Sequence, residues 1–284
     1  MNARDDAIRR ILVALDASPE SLAALEYAAD LAAGLQAELT GIFVEDVDLL
    51  NLAGMPFARE VSALTPGGRQ LDPDAMATAL HAQAARARQA LETAATGLHL
   101  RWSFRVLRGR IEAELQTAVA ETDLLALGRR AQSVRRRILG RTLETMARRL
   151  PSSVLLAVPG HRTAIAPVAA IYDVSDCGGR ALSLGARIAG EARRDLIVYL
   201  MAESAGDFAE KRKHAENRLG GDLARVRFIH VPGYGPGDLE PALLRDDPHM
   251  LVVGCDVAGG MPPETWMELA SRANCPVLLL RGLL

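Results

Sequence analysis

Ile11-Leu-Val-Ala-Leu-Asp16-Ala-Ser18-Pro-Glu-Ser21 decides how this chain is built. An unbroken apolar run of five residues reads as a strand buried on both faces, as in a parallel sheet, not as an alternating half-exposed one. Behind it stand a capping Ser18, a proline at the first helical position and the acidic Glu20, so a helix starts directly after the strand. The same arrangement returns at Val168-Ala-Ala-Ile-Tyr-Asp173-Val-Ser175. The far ends of the two copies match as well. Asp123-Leu-Leu-Ala-Leu-Gly128, a helix and Ser153-Val-Leu-Leu-Ala-Val158 are echoed by His249-Met-Leu-Val-Val-Gly254, a helix and Pro276-Val-Leu-Leu-Leu280. Agreement at both ends identifies a duplicated domain.

Between these landmarks the first half alternates strand and helix. Strands are expected at 11–15, 38–45, 101–107, 124–127 and 154–158. Helices are expected from Ser18 to a stop at Gly34, and at 75–96, 111–120 and 143–150. The second half repeats the order in shorter form, with strands at 168–172, 196–202, 226–231, 250–253 and 277–280, after a hinge at 159–167. Such alternation requires parallel strands with right-handed crossovers, hence two tandem five-stranded, doubly wound α/β domains, placed at 9–159 and 166–282. The first copy also carries a long connection at 46–74, rich in Pro and Gly, expected to be a surface flap or a functional loop.

Composition bounds the function. The 284 residues are 49% hydrophobic, enough for two separate cores, and the net charge of -2 favours neither nucleic acid nor an anionic membrane. No apolar run approaches the ~18 residues of a membrane helix and the N-terminus lacks a signal-peptide pattern, so a cytoplasmic protein is expected. Cys177, Cys255 and Cys275 show neither disulfide nor zinc spacing, the six histidines are scattered, and no nucleophile elbow or zincin motif occurs. Cys275 and Trp266 read as core. No metal site and no catalytic residue is expected.

The opening segment, the strand ending at Gly128, Gly140 and the closing Pro151-Ser-Ser-Val-Leu-Leu-Ala-Val158 together resemble a universal stress protein domain. The resemblance covers nearly all of 9–159 and, more weakly, 166–282, so the chain is similar to the tandem members of that family. It implies a Rossmann-like fold of the adenine nucleotide alpha hydrolase type. Some members bind ATP and others do not.

The resemblance makes the loop after the fourth strand the deciding feature. ATP-binding members carry Gly, two residues, Gly, nine residues, Gly and then Ser or Thr, which lets backbone N–H groups approach the phosphates in front of a helix N-terminus. Here the first and last glycines are Gly128 and Gly140, but Ala131 replaces the second, eight residues separate it from Gly140, and Arg141 stands at the hydroxyl position with Thr142 one residue beyond. Arg129, Arg130, Arg135, Arg136, Arg137 and Arg141 crowd this degenerate loop, and guanidinium forks recognise phosphate. Against that, arginine is the default cation of the chain, lysine occurring only at Lys211 and Lys213, so a solvated basic loop remains the plain alternative.

Asp16 is the other candidate, because ligands of open α/β sheets bind outside the carboxyl ends of the strands. In nucleotide-binding relatives the matching aspartate contacts the nucleoside and the residue matching Val44 meets the adenine through its backbone. The competing role for Asp16 is to cap the following helix with Ser18, and the repeat of Asp173-x-Ser175 in a half that has lost the phosphate loop favours it. The expected site is therefore Asp16, Val44, Gly128, Arg130, Gly140, Arg141 and Thr142, in the first half only, with ATP or another adenine nucleotide as the one cofactor to consider. Three functions stand open: a non-catalytic stress-response protein acting through association, an ATP-binding sensor, and a polyanion or nucleic-acid binder, the last disfavoured by charge and the lack of interleaved aromatics. The expected partners are the chain itself, through the two terminal strands as an internal pseudo-dimer or a homodimer, and an unidentified protein.

Overall fold

The computed structural model describes residues 8–55, 59–60, 69–129, 152–160, 165–221, 223–233, 235–255 and 263–281. The first half contributes β1 (Arg10–Ala14), α1 (Pro19–Leu35), β2 (Glu38–Asp46), α2 (Val47–Ala53), the short pair β3 (Arg59–Glu60) and β4 (Arg69–Gln70), α3 (Pro73–Gly97), β5 (Trp102–Gly109), α4 (Ile111–Val119), β6 (Leu124–Gly128) and β7 (Ser153–Ala157). The second contributes β8 (Val168–Tyr172), α5 (Asp176–Glu191), β9 (Leu196–Ala202), α6 (Ala205–Leu219), β10 (Val226–Pro232), α7 (Pro236–Asp246), β11 (Met250–Cys255), α8 (Pro263–Arg272) and β12 (Val277–Arg281). The expected helix at 143–150 lies outside the described residues.

Ten strands form one sheet in the order β10-β9-β8-β11-β12-β7-β6-β1-β2-β5. Each half by itself runs third, second, first, fourth, fifth strand, all parallel, as the strand and helix alternation requires. Within this sheet, among the described residues, the single antiparallel pairing is the seam, where β7 meets β12 with Leu155 opposite Leu278 and Val154 opposite Leu279. Leu155 and Leu278 are fully buried. An apolar fifth strand left as an edge would invite pairing with another chain, and here each terminal strand covers the other. The internal pairing expected of these two strands is thus present.

The core lies in two layers. Alternate residues of the sheet, among them Ile11, Val13 and Leu39, pack against α1, α3, α5 and α6, while Leu12, Ile42 and Leu125 face α4, α7 and α8. Several boundaries differ from the sequence expectation for identifiable reasons. α1 runs through Gly34 and ends one residue later, because Gln36, in the left-handed region at φ 55°, turns its N–H onto the carbonyls of Ala32 and Ala33. α3 begins earlier than residue 75, since Asp72 caps it by accepting from the N–H of Asp74. The 46–74 connection is not uniformly loop either, as Asp46 caps α2 in the same way. No helix among the described residues is long and apolar enough to cross a membrane.

Candidate functional site

The topological switch point of the first half lies between β1 and β6, whose crossovers leave in opposite directions and open a crevice at their carboxyl ends. β1 delivers Asp16 to this edge. Its Oδ1 accepts from the N–H of Ser18 at 3.0 Å, while Ser18 Oγ accepts from the N–H of Ser21 at 3.2 Å as the N-cap of α1. The turn forces Ala17 into the left-handed region at φ 57°. Asp16 nevertheless remains exposed at this edge of the sheet.

Gly128 closes β6 on the other side. A Cβ there would strike the backbone of Glu20 and Ser21, so only glycine lets the end of the strand rest on the first turn of α1. The second half contains the same device, a Cβ on Gly254 meeting the backbone of Cys177 and Gly178. Gly128 is therefore required for packing whatever else it does, and the shared glycine alone does not make a phosphate cradle.

The rest of the second crevice departs from the first. Asp173 Oδ1 accepts from the hydroxyl of Ser175 at 2.5 Å as well as from its N–H at 3.1 Å, and Val174 between them stands at φ 69°. Gly178 packs directly on the Asp173 carboxylate, and the Arg218 guanidinium lies over Gly179, with Nε donating to its carbonyl at 3.0 Å. Burial raises the pKa of Tyr172 here, opposed by Arg218 and helped by Asp173. Asp173 is thus drawn into its own helix start.

Val44 is half-buried on β2. β1 pairs with β2 only as far as Ala14 opposite Ile42, so Val44 projects past it along the same edge as Asp16 while still pairing with Leu107 of β5. The structure thus brings Asp16, Gly128 and Val44 to one edge of the sheet. Arg130, Gly140, Arg141 and Thr142 lie outside the described residues.

Arg129 reaches into the other half of the chain. Its Nη1 and Nη2 donate to the carbonyls of Ala270 and Ala273, at the end of α8 in the other half, so it is already engaged. Burial lowers its pKa from the ordinary guanidinium value, the nearby Cys275 opposing the shift. Burial also pushes the Cys275 thiol up to about 12, which makes it an inert core group, as its sequence position suggested. One repeated pair was missed by sequence reasoning. Gly109, the last residue of β5, and Gly233, the residue directly after β10, each have an acidic side chain against them, Glu114 in the first half and Asp238 in the second. A glycine followed five residues later by an acid, present in both halves, was the available signal.

The model of the universal stress protein family matches residues 7–158, somewhat more than half of the chain. Among solved structures, a universal stress protein from Archaeoglobus fulgidus DSM 4304 is similar over 96% of each chain, with 16% identity and a TM-score of 0.70. A functionally unknown protein from Pseudomonas aeruginosa PAO1 is similar over 98% of this chain and 94% of its own, with 17% identity and a TM-score of 0.62. The cytoplasmic domain of a prokaryotic cation chloride cotransporter, at 12% identity, has the same fold over 96% of each chain with a TM-score of 0.52. At these identities the likeness is one of fold, which by itself carries no function. None of the curated proteins matches the chain. The family match over 7–158, joined to a doubled 3-2-1-4-5 parallel sheet, places this chain in the universal stress protein family.

Proposed function

We propose that this chain is a non-catalytic stress-response protein that acts through association, and that its first half alone holds a weakened adenine-nucleotide site. The observation carrying this reading is the contrast between the two aspartates. Asp16 is exposed at the β1/β6 crevice, while Asp173 is half-buried, bonded twice to Ser175 and packed on Gly178. A nucleoside hydroxyl donates to a carboxylate, and the exposed aspartate beside the switch point is the better placed of the two to meet one. The ligand is ATP or another adenine nucleotide, its base resting at Val44 and its phosphates directed to the loop that starts at Gly128, with Arg130, Gly140, Arg141 and Thr142 as the candidate phosphate contacts. The missing second glycine makes affinity low, and the association role then rests on surfaces of the paired halves.

Calorimetric titration of ATP into the full chain tests this. One weak site per chain, lost in Asp16→Ala and retained in Asp173→Ala, is expected. Two equivalent sites, or a site indifferent to Asp16, would overturn it.

A further inference from the structure

Arg129 directly follows the glycine that ends β6, and its N–H continues the ladder to the carbonyl of Ala157 at 2.7 Å. That bond holds the residue at the carboxyl edge of the first half. Because β7 and β12 are antiparallel, this edge lies beside the amino end of β12, where α8 delivers its last turn. The guanidinium crosses the seam and takes the carbonyls of Ala270 and Ala273 together. Carbonyls at a helix C-terminus carry partial negative charge, which favours a cation, and a fork that reaches two of them at once is a geometry lysine does not reproduce. The second half has Cys255 at the matching position, so the clamp runs in one direction only, from the crevice edge of the first half into the body of the second.

We propose that Arg129 is a positioning residue that couples nucleotide binding in the first half to α8 of the second. The proposal rests on the nucleotide reading above. The chain leaves β6 fixed at two successive residues, Gly128 by the first turn of α1 and Arg129 by α8. A nucleotide seated between Asp16 and Gly128 bears on this doubly held segment. Whatever the clamp contributes to nucleotide affinity, the nucleotide returns to the clamp, because coupling free energies are reciprocal. The second half, which holds no nucleotide of its own, is in this way informed of occupancy in the first.

The test combines hydrogen–deuterium exchange on the full chain, with and without saturating ATP, and calorimetric ATP affinity for wild type, Arg129→Ala and Arg129→Lys. In wild type, ATP slows exchange at the amides of residues 269–273. Arg129→Ala abolishes that response and weakens ATP binding about tenfold, within the usual range of coupling between sites. Arg129→Lys keeps the charge and guards against a variant that fails to fold; it loses most of the response. Arg187→Ala removes a different bond between the halves, from Arg187 to the Leu35 carbonyl at 3.5 Å, and leaves both quantities unchanged. ATP binding with α8 silent, or with both Arg129 variants behaving as wild type, overturns the coupling and leaves the nucleotide site standing. Faster exchange at 269–273 on adding ATP shows Arg129 leaving α8 for the phosphates, which overturns the positioning role. No ATP binding by wild type removes the nucleotide reading and the coupling with it.

Discussion

The ring of Tyr27 on α1 lies against the ring of His249 at the start of β11, with centroids 5.2 Å apart and planes tilted by 46°. The two residues belong to different halves, and both are buried, at 1% and 8% exposure. The seam is therefore held by side-chain packing on the α1 face as well as by the β7–β12 ladder. Replacing a buried aromatic by alanine leaves a cavity that costs about 3–5 kcal/mol, so Tyr27→Ala should lower unfolding stability by that amount in urea titrations. A loss under ~1 kcal/mol would show that the seam does not depend on this contact.

Gly128 and Gly254 make the same close approach, each to the first turn of the helix that follows the first strand of its half. Alanine at either position should destabilise by about 1–3 kcal/mol, because backbone, which yields less readily than a side chain, receives the added methyl. Denaturant unfolding without any nucleotide measures it. The control has a functional use: a Gly128→Ala protein that loses ATP binding has also lost packing, and the loss is not evidence for a phosphate contact.

Asp246 provides the acid-side dependence. Burial pushes its carboxyl up, but hydrogen bonds from Arg245 at 2.9 Å and from the Tyr199 hydroxyl at 3.0 Å outweigh this and hold it below the usual carboxylate value. A depressed folded pKa contributes stability that is complete above the unfolded value near ~3.9 and is lost as pH falls through the lower, folded one. Asp246→Asn should therefore cost about 1–3 kcal/mol at neutral pH, with the gap to wild type closing below about pH 4. A gap that stays constant down to about pH 2 would assign the cost to shape alone.

Repair of the degenerate loop separates a backbone cradle from a side-chain clamp. Ala131→Gly together with Arg141→Ser should tighten ATP binding if the site is vestigial. Removing Arg130 and Arg141 together should weaken it at least tenfold if guanidinium groups have taken over, since charge-assisted bonds contribute ~1.5–3 kcal/mol each before non-additivity. Calorimetry on both double variants decides, and no change in either would remove this loop from the phosphate site.

The strands, their order along the chain and the duplication were legible because their causes are local. Runs such as Ile11 to Leu15 and Leu124 to Leu127 are apolar at every position, and Ser18 and Ser175 cap helices by bonding to residues three further on. The family could be named from the same residues. Less of the site could be read, since Asp16 and Asp173 sit in the same Asp-x-Ser motif and differ only in what surrounds them. That Arg218 lies beside Gly179, or that Asp16 stays exposed, depends on helices packed from elsewhere in the chain. Arg129 shows the limit most plainly. In sequence it is one arginine of a basic loop, while in the fold its partner is Ala270, 141 residues away. Periodicity and capping are properties of neighbouring residues and survive in a one-dimensional reading. The β7–β12 seam, and the clamp it makes possible, exist only because burying two apolar edge strands against each other brings the first half's crevice edge to the end of the second half's last helix.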